Sequence, residues 1–382
     1  MKKNVIIYSI IGVLLVAVVS TAAFFLGQRL VSRSNEEGIE TLPDAGKGNR
    51  GQVDGDADAD NSPLEDARAD HEWPVYIATM THLEGGEAWQ KAATNESFFS
   101  SIAKELRYGM DMAETYGATL TFESEKPFSL GSAAFDDNVL REALDRGHGV
   151  GTHCDIAPQV ELPLNELVAE FKACKDPVDA LVGVENNLGI SGGGGKSDWY
   201  AGASEAGFSY LDGTVALHYL ALPESARPKG WNDKAILREF FHDPAPQDES
   251  YFYPFLIGGL GFEEDSGGNL LVTNGCIGDV RHYEETQPLG LDLGTASCGE
   301  DCPMTQQDVD LAVEFVRDFV GQHDGSRPGK ITFFFPSATF VEENEAMLNS
   351  FFSTMQKLEN EGLVQWASQR EVYDVMMEYY GI

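Results

Sequence analysis

Gly147-His148-Gly149-Val150-Gly151-Thr152-His153-Cys154-Asp155 is the stretch from which the fold of this chain can be read. Its first glycine marks a turn, and from there a short buried strand runs to a histidine and an acid. Residues two apart on a strand share a face, so His153 and Asp155 point the same way. An earlier stretch repeats the arrangement: Val75-Tyr76-Ile77-Ala78-Thr79-Met80-Thr81 is apolar and β-prone and runs into His82-Leu83-Glu84-Gly85. Two strand ends therefore each present an imidazole and a carboxylate. In a parallel α/β protein the C-terminal ends of the strands gather at one end, and ligands collect there. His82, Glu84, His153 and Asp155 are accordingly the expected ligands of a divalent metal, zinc or another first-row ion. The alternative is two hydrogen-bonded core histidines with acids that cap neighbouring helices.

The rest of the chain alternates in the same sense. Apolar residues Phe98, Phe99, Ile102, Leu106, Met110 and Ala113 recur at three- and four-residue steps, predicting a helix over about 95–116 that Gly117 ends. A strand Ala118–Phe122, closed by Glu123, and a short helix Val139–Arg146, capped by Asp137 or Asn138, lead into the central strand. Helices are expected at about Leu164–Lys175 and Pro177–Asn186, then a strand Leu188–Ser191, a glycine-rich turn, a helix Ser197–Ala206 and a strand Gly207–Gly213. The spacing GxxxxGK[ST] fails in that turn because Ile190 stands where the first glycine belongs, so the glycines are read as letting backbone approach a ligand. Helix from Thr305, strand Lys330–Phe335, helix Val341–Asn360, strand Leu363–Ala367 and helix Gln369–Tyr380 close the chain. This rhythm predicts one α/β domain over residues 71–382, built on a parallel sheet or barrel. It is interrupted at about 217–296 by an aromatic, proline- and glycine-rich insertion, read as a lid or a sugar-stacking wall.

Upstream, Lys2 and Lys3 precede an uncharged run from Asn4 to Gln28, long enough to span a bilayer at about 20 residues. Residues 1–33 are therefore read as a single-pass transmembrane anchor with the domain outside the cytoplasm, with cleavage near Ser20-Thr21-Ala22 as the alternative. Residues 34–70 lack the apolar surface needed to order themselves and read as an acidic linker. Asp54, Asp56, Asp58, Asp60 and Glu65 mimic calcium-loop spacing, but Ala59 takes the place of the obligatory glycine. A net charge of −36 argues against nucleic acid as a partner and favours a neutral or cationic substrate. The five cysteines show no CxxC spacing, and Cys298 and Cys302 are either a small disulfide or two free thiols.

Val139-Leu140-Arg141-Glu142-Ala143-Leu144-Asp145-Arg146 followed by Gly147-His148-Gly149-Val150-Gly151-Thr152-His153 resembles the helix and "GHEIGxH" strand of the polysaccharide deacetylase (NodB-like) superfamily. Asp198-Trp199-Tyr200 through Gly207–Gly213 is similar to a later strand of that family, and the resemblance covers about Trp73 to Ile382, thinly across the insertion. It implies an irregular (β/α), NodB-like barrel of about seven parallel strands, a carbohydrate substrate and a metal-dependent hydrolase, deacetylase or glycosidase, with His153 as the first metal histidine. Several positions depart from the pattern. Ala157 stands where the second histidine belongs, Thr81-His82-Leu83-Glu84-Gly85 replaces Thr-Phe-Asp-Asp-Gly, and Ser191-Gly192-Gly193 replaces the arginine-proline motif. Glu84 could then substitute for the metal aspartate, while Leu83 removes the catalytic base. Asp155 or Glu123 is the expected general base. The alternative function is a catalytically inactive barrel that binds cell-surface glycan.

Overall fold

The computed structural model describes residues 73–85, 89–281 and 303–382. The proposed anchor, the acidic linker and the Cys298–Cys302 pair lie outside the described residues. Among the described residues no helix is long and apolar enough to cross a membrane.

β1 (Val75–Leu83) is the organising strand, apolar and β-branched along most of its length. It pairs in parallel with β2 (Thr121–Ser124) at its C-terminal end and with β9 (Gly329–Phe334) and β10 (Val364–Trp366) at its start. β3 (Gly149–Cys154) lies beside β2, β4 (Gly189–Gly192) beside β3, and β5 (Tyr210–Leu211) beside β4, all parallel. The result is a mixed α/β half-barrel, mostly parallel, whose helices bury apolar stripes on its outer face. α1 (Glu96–Thr115) begins at Asn95, whose side chain accepts from the Phe98 N–H, and buries the predicted stripe of Phe99, Ile102, Leu106, Met110 and Ala113. Each such large side chain contributes about 1.5–3 kcal/mol relative to exposure. α2 (Lys126–Ala134) and α3 (Val139–Asp145), capped by Asn138, follow β2.

Three features depart from the sequence reading. First, the pair of helices expected around Pro177 is one helix, α4 (Leu164–Val182). Leu167, Phe171, Val178 and Val182 form one buried stripe across the proline, so packing overrides the local break. Second, Cys154, the last residue of β3, forms a disulfide with Cys174 of α4, with Cα atoms 5.8 Å apart.

Third, the stretch read as an irregular insertion contributes β6 (Phe255–Ile257), β7 (Leu270–Val272) and β8 (Cys276–Asp279), so the sheet has ten strands rather than about seven. β7 runs parallel to β5 and antiparallel to β6, and β8 pairs with β9. Only Thr273, Asn274 and Gly275 separate β7 from β8, so the chain crosses there from one side of the half-barrel to the other. Lys330 on β9 reinforces the crossing: its Nζ, fully buried, lies 3.0 Å from Asp212 Oδ1 and donates to the Thr273 carbonyl. Several aromatic residues of this region pack against one another. Trp231 stacks on Phe240 with centroids 5.0 Å apart, Tyr219 meets Phe262 at 4.8 Å, and both Trp231 and Tyr219 are buried.

Candidate metal centre

The inner face of the half-barrel is set by strand alternation. On β1 it carries His82, and Glu84 follows one step beyond the strand end; on β2 it carries Glu123, on β3 His153 and on β4 Ser191. Register places these side by side, His82 opposite Glu123, Glu123 opposite Gly151, and His153 opposite Ser191. Gly151 is needed for this arrangement, since a Cβ there would come within 3.3 Å of Glu123 Cγ. Gly192 turns the chain at φ +80, and a Cβ there would sit 3.0 Å from Asp155 Oδ1, which gives the glycine-rich turn its close approach to the site.

Three of the four expected ligands converge. The donor atoms of His82, Glu84 and His153 all lie within 4.8 Å of one another. Glu84 bridges the two imidazoles: Oε1 hydrogen-bonds His82 Nδ1 at 3.1 Å, and Oε2 lies 2.9 Å from His153 Nε2. Asp155 stands outside the group, with its side chain 67% exposed and its Oδ1 3.5 Å from His153 Nε2. Each imidazole also meets a side chain of the neighbouring strand, and for His153 that contact is a hydrogen bond. His153 Nδ1 hydrogen-bonds Ser191 Oγ at 2.8 Å, and His82 Nε2 lies 3.1 Å from Glu123 Oε2. Glu123, read from sequence as a strand end, is fully buried.

The short contacts conceal a mismatch. His153 Nε2, His82 Nε2 and both oxygens of Glu123 are buried without a hydrogen bond of acceptable geometry, although oppositely charged atoms lie close by. The imidazole of His153 is therefore near Glu84 without being aimed at it. Two histidines and a carboxylate whose donor atoms share one small volume, with His153 held on its other nitrogen by Ser191, could hold a divalent metal with a position left open. Among the described residues, this is the group of histidine, cysteine and acid side chains that meets that test.

Electrostatics agree with close packing of unlike charges. Burial lowers the pKa of His153, but the charges of Glu84 and Asp155 raise it well above the ordinary imidazole value. Burial and the neighbouring His153 lower that of His82, and Glu123 and Glu84 outweigh them, so it too is raised. Burial raises Glu84, yet the two histidines hold it far below the usual carboxylate range. For Asp155, burial again raises and His153 outweighs it, leaving the group lowered.

One residue at the site went unread in the sequence. Glu125 lies two positions beyond Glu123, is half-buried, and is influenced by the charges of His153, Glu84, Asp155 and His82. Strand alternation carried beyond Glu123 would have found it. The other histidines within the described residues that can be assigned are structural: His148 Nδ1 accepts from the Leu120 N–H at 3.1 Å, and His218 Nδ1 accepts from the Val215 N–H at 3.1 Å.

No protein-family model and no curated protein sequence matches the chain. Among solved structures, neighbours in fold include polysaccharide deacetylases and family 4 carbohydrate esterases, at low sequence identity. The Puue allantoinase structure is 12% identical, with 80% of this chain and 90% of that chain covered at a TM-score of 0.49. A structure described as a probable polysaccharide deacetylase from Pseudomonas aeruginosa is 12% identical, covering 80% and 91% at 0.48. The 4-alpha-glucanotransferase from Thermococcus litoralis is 14% identical, covering 79% of this chain but 40% of that chain at 0.45. Likeness at this level says nothing of activity, and the functional reading rests on the side chains.

Proposed function

We propose that this chain is a metal-dependent hydrolase of the polysaccharide-deacetylase kind that removes acyl groups from a carbohydrate outside the cytoplasm. The observation that carries the reading is the convergence of His82, Glu84 and the buried His153, with His153 Nε2 lacking any hydrogen bond. A zinc or similar ion held by these three residues would polarise a carbonyl and lower the pKa of water at the open position. The chain's own groups do the rest. Ser191 fixes the plane of the His153 imidazole, Glu123 lies against His82, and Asp155, exposed beside His153, would take a proton from the attacking water. Glu123, sealed beneath His82, serves as its brace rather than as the base.

Two further features support the setting. A disulfide between Cys154 and Cys174 suits an oxidising compartment, in keeping with the export segment read from the sequence. The net charge of −36 suits a neutral or amine-bearing polymer better than a polyanion. The reading is tested by acetate release from acetylated oligosaccharides. Release that stops on chelation and returns with zinc is expected, and no release from any acetylated glycan with full zinc occupancy would contradict it. A second reading, a glycan-binding barrel without turnover, draws on the ion pairs of Glu84 with both histidines, which balance charge without an ion.

A further inference from the structure

From its place at the end of β2, beside the β1 end that supplies Glu84, we infer that Glu125 is the catalytic acid of this centre, the group that gives a proton to the departing amine or alkoxide of the carbohydrate. The inference rests on the hydrolase reading above, since it assigns the second of the two proton transfers that cleavage of an unactivated acyl bond requires.

Four carboxylates gather around the histidines, and three are committed. Glu84 spans both imidazoles at 3.1 and 2.9 Å. Glu123 lies fully buried beneath His82, where no substrate reaches. Asp155 faces His153 and is open to water. Glu125 differs from all of them. Its backbone continues β2 in the extended conformation, φ −72 and ψ 158, so its side chain leaves on the same face as Glu123 but one step nearer the open strand ends. Its N–H donates to the Leu83 carbonyl at 3.4 Å, which sets it alongside the β1 end that supplies Glu84. Although Glu125 occupies the N-cap of α2, its side chain makes no capping bond, and its carboxyl has no hydrogen bond or ion pair within the described residues. A half-buried carboxyl beside a ligand cluster, used neither by the helix it precedes nor by the ligands, is free to work on a substrate.

In the reaction the water oxygen bonds to the acyl carbon and the proton of that water passes to Asp155. The C–N or C–O bond to the sugar then breaks, and the carboxyl proton of Glu125 passes to the leaving nitrogen or oxygen. Acid and sugar amine or alcohol depart, and solvent returns the proton from Asp155 to Glu125.

The test compares two probes on the zinc-loaded full chain: an N-acetylglucosamine oligomer, whose leaving amine needs a proton, and 4-nitrophenyl acetate, whose leaving group needs none. For Glu125→Gln the expected result is unchanged zinc content, a fall in kcat on the oligomer of about 100-fold or more with KM little altered, and a loss on the aryl ester at least about tenfold smaller. Added formate should restore part of the oligomer activity of Glu125→Ala. Equal losses on both probes, loss of zinc, or parent-like activity on the oligomer would overturn the assignment. A parent protein that holds zinc and cleaves neither probe overturns the hydrolase reading, and this role with it, before any variant is compared.

Discussion

His82 and His153 stack with ring centroids 4.1 Å apart and planes tilted by 30°, although β2 runs between the strands that carry them. Two strand spacings on a flat sheet amount to about 9.5 Å. Inward curvature of the half-barrel and the lean of both rings over Glu123 close that gap, and the stacked imidazoles leave their nitrogens on the two sides of one carboxylate, Glu84.

Because Glu123 braces His82 from the buried side, Glu123→Gln should keep the fold while weakening zinc binding by about 10–100-fold. Competition with a chromophoric chelator measures this directly. Zinc affinity equal to the parent's would show that Glu123 has no hold on the ligand.

Protons compete with the metal at the same imidazoles. In the metal-free protein, the raised histidine pKa values contribute stability that is full below about pH 6.5 and is lost as pH rises through the folded values. The lowered Glu84 and Asp155 act oppositely: their contribution is present above about pH 4 and is lost as pH falls through their folded values. Metal binding must displace the histidine protons, so the rise in Tm on adding zinc should be small near pH 5 and grow steadily above about pH 6.5. A zinc-induced shift of the same size at both ends of that range would contradict the ligand assignment.

The disulfide ties the residue after His153 to α4, with a sequence separation of 20 between its cysteines. Cys174→Ser should lower the free energy of unfolding by about 2–4 kcal/mol, read from the midpoint of urea denaturation. An unchanged midpoint in oxidised parent and variant would show that the bridge adds no stability.

The Lys330–Asp212 pair is a sharper stability test, since both groups are fully buried and join β9 to the end of β5. Lys330→Met should destabilise by about 3–5 kcal/mol because it strands the Asp212 carboxylate. Adding Asp212→Leu to it should recover much of the loss, and a double variant no better than the single one would show that the charge is not the cause.

Much of the fold was legible from residue order. The apolar runs of Val75–Leu83 and Gly149–Cys154 are readable because both faces of these strands are buried, and the stripe of α1 repeats along the whole helix. His82, Glu84 and His153 could be named because strand ends of parallel folds meet. β6, β7 and β8 could not, since three or four residues between glycines and prolines carry too little period, and only pairing with β5 and β9 makes strands of them. Pro177 misled because a local breaker was weighed without the stripe that spans it. Asp155 shares the face of His153 by spacing, but it lies past the end of β3 and outside the group of three, open to solvent with Oδ1 3.5 Å from His153 Nε2. Glu125 escaped because the strand was ended too early, and Cys154 escaped because a pairing 20 residues apart leaves no local signature.

Whether His82, Glu84 and His153 hold one divalent ion is decided by zinc and iron per chain, measured by elemental analysis in protein purified without chelators and then offered metal, for the parent and for His82→Ala and His153→Ala. Close to one ion per parent chain is expected, with most of it lost in each variant and both variants still folded by circular dichroism. Equal, near-zero metal in all three proteins would contradict the assignment.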